Sequence, residues 1–104
     1  MLQDGVVIVK LTNTFNKKVT LQIEKETDEF LNMGQKRFLF DFSQTEYMDS
    51  TGLGKLIDLR EKLEEVNGEL TLKNVNGYCF GLFELNDLLQ DFIFQNAGQN
   101  EGIL

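Results

Sequence analysis

At 104 residues the chain has room for one domain and one core, of a size that buries about 60–70% of the unfolded surface. Ten basic against seventeen acidic residues leave a net charge of −7, which argues against a nucleic-acid backbone as partner and suits solubility or a basic protein surface. Histidine is absent, which removes the usual general base near neutral pH and with it ordinary triad hydrolysis, and no apolar run approaches the roughly 20 residues that span a bilayer.

The N-terminus lacks a basic segment leading into an apolar run and a cleavage site. A lone cysteine, Cys79, cannot staple the fold from within, so a cytoplasmic protein without membrane insertion is expected.

Residues 5–11 form a short β-branched run that reads as a central strand buried on both faces, closed by the polar turn Thr12, Asn13 and Thr14. From about Asn16 the period changes. Val19, Ile23, Thr27 and Phe30 recur at helical spacing, with charged residues between them, and Gly34 supplies a stop. Residues 37–42, rich in phenylalanine and leucine, read as a second buried strand. Residues 47–54 read as a loop of small and polar residues, and 53–66 as a helix with Leu53, Leu56, Leu59, Leu63 and Val66 inward.

Asn67 and Gly68 end that helix. Residues 69–73 alternate polar and apolar, as expected of a strand towards a sheet edge, and 74–77 form a turn. A short helix should bury Cys79, Leu82, Phe83 and Leu85, leaving Phe80 off the stripe and open to a partner. Phe92, Ile93 and Phe94 make a last strand, and 96–104 a frayed tail beyond a core of about 5–95. Strands separated by helices predict right-handed crossovers and a mainly parallel α/β sheet in a single domain.

The 47–54 stretch is the candidate site. It lies where a strand gives way to a helix, and an anion on Ser50 or Thr51 would meet outward-pointing N–H groups and the positive end of the helix dipole. Enzyme patterns fail here. Gly54 and Lys55 fit the end of a phosphate-binding loop, but Asp49 stands where its first glycine belongs and Leu56 where a serine or threonine belongs. A hydrolase elbow centred on Ser50 has Met48 in place of its first glycine. Asp41 and Asp49 lack a third ligand for a metal, and no cofactor is expected. The plain structural reading is that one of Asp49, Ser50 and Thr51 caps the helix, worth about 1 kcal/mol. Gly52 and Gly54 would in addition leave the hydroxyls uncovered and let another backbone approach.

Asp49, Ser50, Thr51, Gly52, Leu53 and Gly54, preceded by Phe40, Asp41, Phe42, Ser43 and the aromatic Tyr47, resemble the signature of anti-sigma factor antagonists, bacterial members of the STAS domain family. The resemblance runs from about Val6 to Phe94 in element order. It implies a mixed four- to five-stranded sheet with helices mainly on one face, and a binding module rather than an enzyme. It implies that Ser50 is the phosphoacceptor of an anti-sigma factor serine kinase, with Asp49 and Thr51 shaping the site and Gly52, Leu53 and Gly54 allowing close approach. Unphosphorylated, such a protein binds the anti-sigma factor and frees a sigma factor; a serine phosphatase resets it.

The sequence departs from the family pattern twice. Residues 1–4 leave almost no room for the family's additional first strand, and Asn16, placed among the partner-binding residues, stands where an acidic residue is common. The alternative reading is a STAS subunit of a signalling or lipid-transport assembly in which Ser50 is only a helix cap.

Overall fold

The computed structural model describes residues 2–95; the tail expectation for 96–104 lies outside the described residues. Leu2–Gln3 (β1) and Val6–Lys10 (β2) form an antiparallel hairpin, turned at Asp4 and Gly5 with φ of 54° and 80°. Positive φ at both central residues is what a two-residue hairpin with right-twisted strands requires. Residues 1–4 therefore do accommodate a first strand, contrary to expectation, because two paired residues suffice.

The chain continues through Thr14–Phe15 (β3), Lys17–Asn32 (α1), Arg37–Asp41 (β4), Tyr47–Met48 (β5), Ser50–Glu65 (α2), Glu69–Lys73 (β6), Gly77–Leu85 (α3) and Ile93–Gln95 (β7). Five strands form one sheet in the order β1-β2-β4-β6-β7, parallel throughout except for β1. The short strands β3 and β5 pair in parallel as a second, two-stranded sheet.

Two strand expectations need correction. β2 is not buried on both faces: Val7 and Val9 are buried while Val6 and Ile8 are only half-buried. β6 is not towards an edge, since it lies between β4 and β7. Both errors have one cause. The helices cover a single face of the sheet, so interior strands also show the alternation of a half-wet surface. Val7, Phe38, Phe40, Leu70 and Leu72 point to the covered face and meet Ile23, Leu56, Leu59, Leu63, Cys79 and Phe83 in one core.

The helices share their punctuation. Asn16, Asp49 and Asn76 are N-caps, each accepting a backbone N–H three residues on, from Val19 at 3.2 Å, Gly52 at 3.0 Å and Cys79 at 2.8 Å. Each helix ends with a residue in the left-handed conformation: Gly34, Asn67 and Asp87. In α1, Gln35 N–H reaches the Phe30 carbonyl and Gly34 N–H that of Leu31, both at 3.0 Å, which satisfies carbonyls the helix leaves unpaired. The same double bond pattern closes α2 through Gly68 and Asn67, and α3 through Leu88 and Asp87.

On the last helix, Cys79 and Phe83 are buried, but Leu85 is 83% exposed beside the C-cap Asn86, not inward as its spacing suggested. Phe80 is half-buried, edge-on to Phe94 with ring centroids 5.1 Å apart, so the fold itself takes up this ring. Phe94 in turn packs edge to face with Phe83 and Phe92, and these with each other, at 5.2–6.5 Å.

Phe40 is fully buried in the middle strand of the five. Phe40→Ala is expected to lower unfolding free energy by about 3–5 kcal/mol, read from urea denaturation followed by circular dichroism.

Candidate functional site

The stretch expected to be a loop is three things in succession: a strand (β5), an N-cap at Asp49, and the first turn of α2. The helix begins at Ser50, three residues before the apolar stripe announces it, because the Asp49 carboxylate takes up the Gly52 N–H and the Asp49 carbonyl accepts from Leu53 N–H at 3.1 Å. Ser50 and Thr51 occupy its first two positions, both exposed. Leu53 is buried in the core beneath them.

The β3–β5 pair fixes what stands opposite. Phe15 is in register with Met48, so the caps that follow, Asn16 and Asp49, emerge side by side. Asp49 N–H donates to the Phe15 carbonyl at 3.3 Å. That carbonyl also explains Gly52: a Cβ there would lie 2.5 Å from the Phe15 oxygen. The backbone that approaches Gly52 is the protein's own, so packing alone already requires a glycine here. Around Gly54 a Cβ would meet nothing within 4 Å, and this glycine does leave the surface open.

Ser50 and Thr51 face different clefts. Ser50 borders one of about 330 Å³ with Tyr47, Asp49, Tyr78, Leu82 and Asn86. The rings of Tyr47 and Tyr78, both half-exposed, stack there with centroids 5.6 Å apart. Asn76 anchors this side, its amide donating to the Thr45 carbonyl at 3.1 Å while its oxygen caps α3. Thr51 borders a groove of about 360 Å³ between α1 and α2, with Lys17, Leu21, Glu24, Gly54 and Lys55.

Sequence reasoning missed Tyr78 and Lys55. Tyr78 carried no signal, since nothing in a two-residue β5 announces that Tyr47 will stack on α3. Lys55 did carry one: three residues after Gly52 and four before Leu59, it falls on the buried flank of α2. Burial pushes its pKa down, against the upward pull of Glu24, Asp28 and Asp58, with Lys62 adding to the fall.

The two aspartates paired as a metal candidate have separate local tasks. Asp49 caps α2, while Asp41 accepts from Ser43 N–H at 2.9 Å. Burial raises the Asp41 pKa, but hydrogen bonds to Ser43 and Asn74 outweigh it and leave the carboxyl below its usual range. Among the described residues no cluster of three or more His, Cys, Asp or Glu is arranged to hold a metal ion, and no helix is long and apolar enough to cross a membrane. Cys79 is buried, which pushes its thiol pKa up, as for a core residue.

A mixed five-stranded sheet covered on one face by three helices, with a capped serine opening the second helix, is one particular class of α/β domain. The chain belongs to the STAS domain family, whose model matches residues 2–100. Over 94 residues it is 28% identical to BtrV of Bordetella bronchiseptica, named as a candidate anti-sigma factor antagonist, with 90% of this chain and 81% of that protein aligned. A crystal structure of a candidate anti-sigma factor antagonist from Thermotoga maritima superposes with TM-score 0.83 at 24% identity, covering 99% of this chain and 88% of that one. The Bacillus protein SpoIIAA in its phosphorylated form superposes with TM-score 0.77 at 22% identity, covering 99% and 92%. At these identities the likeness establishes the fold.

The two glycines should respond oppositely to alanine. Gly52→Ala is expected to cost about 1–3 kcal/mol because the Phe15 backbone must give way, and Gly54→Ala to be neutral or to stabilise by up to about 1 kcal/mol. Urea denaturation of the pair checks this. For Lys55, the folded-state pKa lies below the unfolded one, so between the two the unfolded chain binds more protons and stability rises with pH. Lys55→Met removes that contribution: its stability advantage over the parent should shrink as pH rises towards about 10, in thermal melts at a series of pH values.

Proposed function

We propose that the chain is an anti-sigma factor antagonist, a binding module switched by phosphorylation at Ser50. With Ser50 free, the start of α2 and the adjoining Tyr47–Tyr78 cleft dock on an anti-sigma factor that is also a serine kinase, and a sigma factor is released. A serine phosphatase restores this state after phosphorylation. The observation that carries the reading is the placing of Ser50: exposed at the first position of α2, beside its cap Asp49, within a family signature otherwise anchored by buried Leu53 and Gly52. BtrV and SpoIIAA, with the role and the phosphorylated form their names state, support it.

The physics of such a switch is local. A phosphoryl group adds about −1.5 to −2 charge and three acceptor oxygens. At the start of a helix that charge is favoured by about 0.3–1 kcal/mol, so the fold persists. At an interface arranged for a neutral hydroxyl the same group must be desolvated without matching donors, which costs several kcal/mol. The change therefore falls on binding. Asp49, Thr51, Leu53 and Gly54 shape the docking surface, and Asn16 contributes from the neighbouring helix start, where its oxygen is engaged as the α1 cap.

Ser50→Ala should bind the kinase-type anti-sigma factor of the same genome constitutively and accept no phosphate. Ser50→Asp should bind at least tenfold more weakly, by isothermal titration calorimetry, with an unchanged circular dichroism spectrum. If Ser50→Ala still takes up phosphate from that kinase at the parent rate, the assignment of Ser50 is wrong.

A further inference from the structure

The groove between α1 and α2 has three features that the described residues leave without an explanation. The Lys55 side chain is only 5% exposed, and its buried Nζ has no hydrogen-bond acceptor; the Glu24 carboxylate stands 3.9 Å away. Gly54 weakens the helix interior although a Cβ there would meet nothing within 4 Å. Leu21, on the opposite wall, is 63% exposed.

A buried ammonium without acceptors is a charge already stripped of water by the fold. An acceptor arriving from outside gains a charge-assisted hydrogen bond without desolvating that amine further, the condition under which an interface charge adds affinity. Within the groove two lysines, Lys17 and Lys55, balance Glu24 and Asp58. A carboxylate brings one negative charge to an amine whose nearest acid, Glu24, stands beyond hydrogen-bond reach at 3.9 Å, whereas a phosphate dianion would bring twice that charge towards Glu24 and Asp58. Glu24 and Asp58 lie a turn beyond Thr20 and Gly54 in their helices, so they close the far end of the groove to an anion. The open end is that of Thr51, next to Ser50.

We propose that this groove receives an acidic side chain of the protein that docks at Ser50, with Lys55 as the residue that selects it. The inference rests on the switch reading above and adds the chemistry of the partner's contact: a carboxylate held by Lys55, with Lys17 and the Thr51 hydroxyl at the entrance. Leu21 and the bare backbone at Gly54 receive the segment that carries it. Lys55 thereby gives an acidic protein a local preference for an acidic contact, opposite to what its net charge of −7 would select.

The test uses the full chain and the kinase that phosphorylates Ser50, with affinities from isothermal titration calorimetry. Lys55→Met keeps the length of the side chain and removes its charge. It should weaken binding at least tenfold while its melting temperature stays level or rises, which separates recognition from folding. Aspartates and glutamates of the kinase are then changed singly to amides. The one seated in the groove should weaken binding to the parent chain about tenfold and have no further effect on Lys55→Met. Binding of Lys55→Met within twofold of the parent, or no kinase acid showing this non-additivity, overturns the inference while leaving the switch standing. Failure of the parent chain itself to bind the kinase, or to be phosphorylated by it, overturns the switch reading and this inference together.

Discussion

Two residues of strand on each side, Thr14–Phe15 against Tyr47–Met48, decide where two helices begin. Such a pair has little stability of its own, and here it is held by what surrounds it. Phe15 and Met48 are buried in the core, the Thr45 hydroxyl donates to the Thr12 carbonyl at 2.8 Å, and Glu46 and Tyr47 both donate to the Asn13 carbonyl. Because the pairing is parallel and in register, the chain leaves both strands at one level and turns into α1 and α2 at adjacent caps. The Phe15 carbonyl binds Asp49 N–H and bars any side chain at position 52. A single carbonyl thus sets both the height of α2 and the identity of one residue in its first turn.

The placement of the candidate site follows from that constraint. Successive residues on a helix point about 100° apart, so Ser50 and Thr51 look into separate clefts, one walled by tyrosines from β5 and α3, the other by α1. In the switch reading this divides the work. The hydroxyl that carries the signal stands on one side of the helix start, and the groove that discriminates between partners stands on the other. A partner spanning the start of α2 meets both.

Much of this was legible in the sequence, for physical reasons. Long periodic segments announce themselves: the stripes of α1 and α2, the phenylalanines of β4, and the Gly34 and Asn67–Gly68 stops all follow from spacing and from the demand for positive φ at helix ends. The signature around Ser50 was equally plain. What was hidden is what two-residue strands do, since a period cannot be read from two residues; β1, β3 and β5 were all missed for this reason. β6 was placed towards an edge because alternation measures which faces are covered and not where a strand sits in the sheet. The contact of Gly52 with Phe15 was hidden because a glycine in sequence shows only that space is needed, and not whose backbone fills it.

The Tyr47–Tyr78 stack has one more consequence. The chain has no tryptophan and only these two tyrosines, so all of its tyrosine emission arises from a single pair of rings at the edge of the Ser50 cleft. Whatever enters that cleft, or alters the charge at its rim, acts on both tyrosines at once. On the switch reading, the protein carries its own optical reporter, without a label, beside the residue that takes the phosphate.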